Sequence, residues 1–397
     1  LSFAISVRDM QPHLTHRLGD RGVILFTSLA ILSVLLMVGV GARVMLQNDY
    51  RVLTNLRGST EASYLAAAGL EWSKNEIARA TTFPPAPADR SESFAGGAFT
   101  VTFLAPELNG ALSAKIVVRS TGSIGTSAHT VQAQLRKTYD LADGAIGLRG
   151  NGSQVVLSGE AILVSGRDHD PVTGSPVTTA KPRAAVTAGE DSLLGLVNAA
   201  ASSLPQGSLE SGTSTPASAT SEHLPATALS QLVSSLCGQA TANVITVPVT
   251  GTVVYENQTW GTRANPELRC IDGLSEPGDS VTLAANMNGS GILVVRNIDL
   301  IVTGSLRWEG LIIVSGTDVG FKVTGSGSKE ILGGLIINET GTPTGKAILD
   351  IQGNVRLLFS RQGLAQTAQL ISPSTLSATY THLPATVRQD YWRAVTP

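Results

Sequence analysis

The sequence predicts an α+β protein with a long N-terminal helix, a small β-sheet after it, and then a large β-rich region of short stacked coils. Three observations predict this. First, 21 positions from Gly22 to Ala42 carry no charge, and helical spacing of apolar residues continues beyond them. Second, "GGAFTVTFLAP" and "AKIVVRSTGSIGTSAHTVQAQLRK" alternate β-branched and polar residues between Gly/Ser turns. Third, Gly-led units of strand, turn and strand start at Gly291, Gly310 and Gly334, at spacings of 19 and 24 residues. Short β runs recurring near a period of 20 are how a β-helix or solenoid appears in sequence.

Composition bounds the function. Of 397 residues only 15% are charged, and the formal net charge is -2. Gly, Ser, Thr, Ala and Val are abundant, which suits turn-rich β structure. No basic patch stands out, so nucleic-acid binding has no electrostatic support.

The apolar run is long enough to cross a bilayer as a helix, which takes about 20 residues. A secretory signal core is shorter, roughly 7 to 15 residues. Gly39-Val40-Gly41-Ala42 resembles a signal cleavage site, which keeps an ordinary signal peptide as an alternative. No proline interrupts the chain between the run and Pro84-Pro85. Leu46, Tyr50 and Leu53 keep helical spacing, as do Leu65, Ala68 and Trp72, while Gly58 is only a soft point. One helix over 23–80 is expected, with 23–43 as its transmembrane half and a length of about 85 Å. The alternative is an anchor followed by a separate helix. Residues 1–22 read as a leader outside the folded product.

The remaining organisation follows composition. Residues 81–143 form a small β head and 144–175 a further β segment, which could add one more coil. Residues 176–243 read as a Ser/Thr/Pro-rich linker with a short helix in "SLLGLVNAAASSL". Residues 244–362 are the solenoid-like region, with an antiparallel sandwich as the alternative, and 363–397 are a C-terminal tail. Cys237 and Cys270 fit no metal pattern. In an exported chain a disulfide between them is favoured over two independent buried thiols.

The stretch "RGVILFTSLAILSVLLMVGVGARVMLQNDYRVLTNLRGSTEASYLAAAGLEWSKNEIA" resembles the N-terminal region of PilX-type minor pilins of type IV pilus assembly. It is also similar to the minor pseudopilins of type II secretion. The features that carry this are Arg21-Gly22 before the run, the run itself, Asn55-Leu56-Arg57, and Tyr64 to Glu71. The resemblance covers about residues 21–80, and it makes the first 143 residues pilin-like in expected fold. It implies that a prepilin peptidase cuts between Gly22 and Val23 and that the new amine is methylated. It implies that the helix anchors the subunit in the bacterial inner membrane, in contact with lipid. Through residues such as Leu25, Leu29, Leu32 and Leu36 it then packs against major and minor pilins in a periplasmic or extracellular filament. Other pilus assembly components are the remaining implied partners. Most pilins carry glutamate where this chain has Thr27, and there it pairs with the amine of a neighbouring subunit. The departure at Thr27 points to a tip or initiating position.

No catalytic constellation is present: the sequence lacks H-E-x-x-H, G-x-x-x-x-G-K-[ST] and G-x-S-x-G. The acids and bases of the repeat region, Arg296, Asp299, Glu309, Asp318 and Asp350, are thinly spread. Asp168 and Asp170 offer a weak oxygen-ligand pair for calcium, too few for a full loop. No cofactor is expected, and an enzyme is the least favoured class. A structural pilus subunit and an anchored or filament-borne adhesin displaying the β-helix are the two leading readings, and one protein can be both.

Overall fold

The computed structural model describes residues 20–395 apart from 81, 95, 109, 213–214, 240–243, 274–278, 343–344 and 377–378. Residues 1–19 of the expected leader therefore lie outside the described residues. The fold is α+β. Helix α1 (Asp20–Arg79) runs 60 residues without a break at Gly58. From Val23 to Tyr50 its residues are exposed. Its C-terminal half buries a stripe of Ala62, Leu65, Ala66, Leu70, Ser73 and Ile77 at three- and four-residue spacing.

That stripe lies on an antiparallel sheet of β1 (Arg90–Phe94), β2 (Gly97–Phe103), β3 (Glu107–Leu108), β4 (Ser113–Ile124) and β5 (Ser127–Tyr139). Alternation places Phe99, Val101, Ile116, Val118, Val131, Ala133 and Leu135 on the helix side, where they pack with Ala66, Leu70 and Ile77. The helix comes so close at Gly122 that a Cβ there would meet the Ala62 carbonyl. Small residues on both elements make that approach possible. The last turn is capped by Lys137, whose Nζ donates to the carbonyls of Ala78 at 3.1 Å and Ala80 at 2.6 Å. Burial holds this ammonium below the usual lysine range, at about 8.

From β5 the chain enters a second body. Strands β6 (Gly144–Gly150), β7 (Gln154–Ser158) and β8 (Ile162–Ser165) make one circuit. Next come β9 (Ala184–Ala188), α2 (Asp191–Ala201), β10 (Leu209–Glu210), β11 (Ser218–Thr220) and α3 (Ala226–Cys237). The main stack is then laid down by β12 (Val244–Val249), β13 (Thr252–Glu256), β14 (Thr259–Trp260), β15 (Glu267–Gly273), β16 (Ser280–Ala284) and β17 (Asn286–Arg296). It continues through β18 (Asp299–Val302), β19 (Ser305–Gly316), β20 (Phe321–Val323), β21 (Lys329–Glu339), β22 (Ala347–Gln352) and β23 (Val355–Phe359).

Every strand pair in this body is parallel, and from β15 to β23 the chain alternates between two sheets. One sheet orders its strands β13-β16-β18-β20-β22-β7, and the other carries β12-β15-β17-β19-β21. Aliphatic residues stack in rows: Ile292 on Leu311, Val294 on Ile313, and Ile313 on Ile336. All are buried, so each circuit is stabilised by its neighbours. Gly291, Gly310 and Gly333 stack in register with φ of +129°, +127° and +153°. At Gly333 strand β21 changes partner. Lys329–Gly333 pairs with β23, and Leu335–Glu339 pairs with β6. The third repeat unit therefore begins at Gly333, one residue before the Gly334 expected, because Gly333 holds the left-handed conformation that the bend needs.

The first circuit in sequence stacks on the last: β7 pairs with β22, β8 with β23, and β6 with β21. Helix α2 covers that end, packing against β7 and β9 with Leu193 and Val197 buried. Helix α3 lies against β15, β19 and β21, and Cys237 at its C-terminus is joined to Cys270 of β15 with a Cα–Cα distance of 5.6 Å. Closing that 33-residue separation contributes about 3–4 kcal/mol in the chain-entropy picture.

After β23 come α4 (Arg361–Thr367) and α5 (Pro373–Leu376), and then β24 (Ala385–Val395) returns to pair antiparallel with β5. The parallel body is thus inserted between two adjacent strands of the head sheet. Two expectations are corrected. Residues 176–243 are not a linker: β9, β10 and β11 pair into the parallel sheet and two helices cap it. Residues 363–397 are not a tail: they contain a helix on the stack and the edge strand of the head. Small Ala and Thr side chains let β9 bury fully despite its linker-like composition.

The junction is fixed by buried polar chemistry. Arg149, 2% exposed, pairs with Asp143 at 3.0 Å and donates from Nε to the carbonyls of His223 and Leu224. Phe83, Tyr139 and Tyr380 form an aromatic trio with centroids 4.7–5.5 Å apart. The Tyr380 hydroxyl donates to the Ala111 carbonyl at 2.7 Å.

Candidate functional site

The candidate site is the N-terminal half of α1, together with the notch where it leaves the head. Leu25, Leu29, Leu32 and Leu36 are all more than 60% exposed. Val23, Ile24, Phe26, Ile31, Val34 and Leu35 are exposed with them, so the helix is apolar all round. The charge-free stretch from Gly22 to Ala42 is long enough to cross a membrane. A helix with this surface requires an apolar surrounding, either lipid or other helices.

The polar groups inside the stretch are satisfied by the helix itself. Thr27 Oγ1 donates to the carbonyls of Val23 at 2.9 Å and Ile24 at 3.0 Å. Ser28 and Ser33 donate to the carbonyls three residues back. Thr27 therefore presents a methyl-bearing surface with no charge. Gly39 and Gly41 point to nearly opposite sides of the helix, and neither meets an atom outside it. The Gly22–Val23 bond lies within α1.

Where the helix meets the head, the β4–β5 turn leans over it. A groove of about 530 Å³ opens there, lined by Tyr50, Leu53, Arg57, Ile124 and Ser127. Tyr50 and Leu53 are exposed, and Arg57 is paired with Glu61 at 2.8 Å.

The weak metal candidates are used otherwise. Asp168 accepts from the Arg361 backbone N–H at 2.8 Å, and Asp170 accepts from those of Val172 and Thr173. Asp170 thus shapes its own turn, whereas Asp168 ties the loop to the first turn of α4. The charged residues of the repeats are structural ion pairs. Arg296 pairs with Asp272, Asp299 with Lys346, Glu309 with Arg263 and Arg307, Asp318 with Lys346, and Asp350 with Lys322. Among the described residues no group of three His, Cys, Asp or Glu is placed to hold a metal. The sequence reading missed the Arg149–Asp143 pair. An Arg within the apolar run "AIGLRG" was its signal, since a cation in a buried strand needs a carboxylate.

No protein-family model matches the chain. No curated protein is similar to it at a significant level. Among solved structures, the crystal structure of the competence-associated pilin ComZ from Thermus thermophilus aligns with 85% of this chain and 98% of its own, at 14% identity and a TM-score of 0.25. A TM-score that low is too small to argue a shared fold.

Proposed function

We propose that this chain is a pilin-like structural subunit of a bacterial type IV pilus or pseudopilus. One observation carries the reading. A single uninterrupted helix is bare and apolar over its N-terminal half and buried against a small antiparallel sheet over its C-terminal half. Such a helix resides in a membrane and can exchange lipid for helix contacts at modest cost, since both surroundings are apolar. On this reading a prepilin peptidase cuts between Gly22 and Val23, and the subunit passes from the inner membrane into a filament. Its neighbours there are other pilins, and their helices pack around Leu25, Leu29, Leu32 and Leu36.

Thr27 favours a tip or initiating position. With its hydroxyl bound to its own helix, it supplies no charge to receive the amine of a preceding subunit. We read the inserted parallel body as a β-solenoid displayed on the head, which suits an adhesive or ligand-binding role at the same tip. Immunogold labelling with antibodies to residues 244–360 is expected to mark filament ends only. Labelling along the shaft contradicts the tip position, and absence from filaments contradicts the subunit reading.

A further inference from the structure

We propose that the outer face of the head sheet binds an acidic polysaccharide in which charged sugars alternate with neutral ones. Helix α1 covers one face of this sheet, so alternate residues of its strands point to the other. No segment of the sequence is basic, yet the strand register gathers five cations on that outer face. Lys115 and Arg119 come from β4, Arg136 from β5, and Arg388 and Arg393 from β24.

The cations form two rows. Lys115, Arg136 and Arg388 are successive cross-strand partners in one, and Arg119 and Arg393 flank Gln132 in the other. Lys115 and Arg119 are four residues apart on β4, which sets the rows roughly 13 Å apart at about 3.4 Å per residue. Like charges side by side in a sheet destabilise it. Only Arg136 is neutralised, by Asp390 at 2.7 Å. Glu107 lies opposite Lys115 in the register without forming an ion pair. Lys115, Arg119, Arg388 and Arg393 have no hydrogen bond or ion pair among the described residues. Arg119, Arg388 and Arg393 are exposed. The formal net charge of the chain is -2, so this positive surplus is local.

Between the rows runs an uncharged strip of Val117, Gln134 and Tyr391, again cross-strand partners. Tyr391 is 42% exposed. The order is thus cations, neutral strip, cations. A polymer with anions at intervals complements it. Its carboxylates pair with the guanidinium forks. A neutral sugar between them lies on the apolar ring face of Tyr391, with its hydroxyls toward the Gln134 amide. A single-stranded nucleic acid is matched less well, because its bases stack on successive aromatic side chains and the strip offers one. A bilayer surface is matched less well too. Strand β5 runs beside α1, from Ser127 next to Gly58 to Lys137 at the helix end, so the face stands along the helix and not across it. The inference concerns the folded head and is independent of processing at Gly22.

Fluorescence anisotropy of a labelled hyaluronate decasaccharide, in which glucuronate alternates with N-acetylglucosamine, tests this with the full chain in detergent. The account expects saturable binding, with the carboxyl-reduced decasaccharide bound at least about tenfold more weakly. Replacing Arg119 and Arg393 together by glutamine is expected to weaken hyaluronate about tenfold, with partial recovery when lysine replaces both. Tyr391→Ala is expected to weaken it about fivefold. Lys322→Gln removes a cation from the inserted body and is expected to leave binding unchanged. No saturable binding by the parent chain, equal affinity for the reduced decasaccharide, or unchanged affinity in the Arg119 and Arg393 double variant would each overturn the proposal. So would a labelled single strand of ten deoxythymidines bound as tightly as hyaluronate.

Discussion

Replacing Gly310 with valine is expected to unfold the inserted body. Gly310 has a φ of +127°, and a Cβ there would overlap the Gly291 carbonyl of the preceding circuit. Valine is among the residues least able to adopt that backbone. Relief requires moving β19 away from β17, which breaks the ladder on one side and opens the packed row of Leu293, Ile312 and Leu335. Backbone strain and lost core packing together are worth at least about 4 kcal/mol, which exceeds a large part of a typical domain's stability. Limited proteolysis of the variant is expected to cut within residues 244–360 where the parent resists. Gly251→Asn is the control: Gly251 also has a positive φ, +73°, but nothing lies within 4 Å of its Cβ position. Asparagine tolerates that region, so the control is expected to change stability by less than about 1 kcal/mol. Equal protease resistance of Gly310→Val and the parent would contradict the stacked-glycine account.

Deleting residues 385–397 is expected to destabilise the head, although they are the most distant residues from it in sequence. Strand β24 supplies the outer partner of β5 along nearly its whole length, and Val387 packs against the core beneath α1. Without it the amides and carbonyls of β5 face solvent, and an unpaired edge is open to fraying and aggregation. Hydrogen exchange of the amides in Val131–Tyr139, read by mass spectrometry, is expected to accelerate at least about 100-fold, equivalent to roughly 3 kcal/mol of lost protection. Exchange unchanged from the full chain would mean that the sheet is complete without its C-terminal strand.

How legible these features were depends on the distance over which each is determined. Helix α1 was legible because its signals are local: a charge-free run, helical spacing and no proline between that run and Pro84. The buried face of its second half was less so. Ala62, Ala66 and Ser73 are buried because small side chains allow close approach to β4, and small residues carry little hydrophobic signal. Glycine spacing exposed the repeat from Gly291 onward, since each bend needs the same backbone conformation. The stacking of 154–165 on 347–359 was open as an extra coil, but its place beside the last circuit is a non-local pairing that no short pattern encodes. Strand β9 was hidden by Ala and Thr composition, and β24 by its exposure. "ATVRQDYWRAV" alternates poorly because the strand is exposed along nearly its whole length and a bulge at Asp390 breaks the period. The aromatic trio of Phe83, Tyr139 and Tyr380 draws on three distant segments, so only the folded chain assembles it.

The central claim is that α1 becomes the N-terminus of a filament subunit. The most direct test is the mass of the N-terminal peptide of the membrane-associated protein, from cells with and without prepilin peptidase. The account predicts a chain beginning at Val23 with a methylated amine when the peptidase is present, and an unprocessed chain when it is absent. A start unaffected by the peptidase, or cleavage near Ala42, would contradict it and leave α1 as an ordinary anchor or a removed signal.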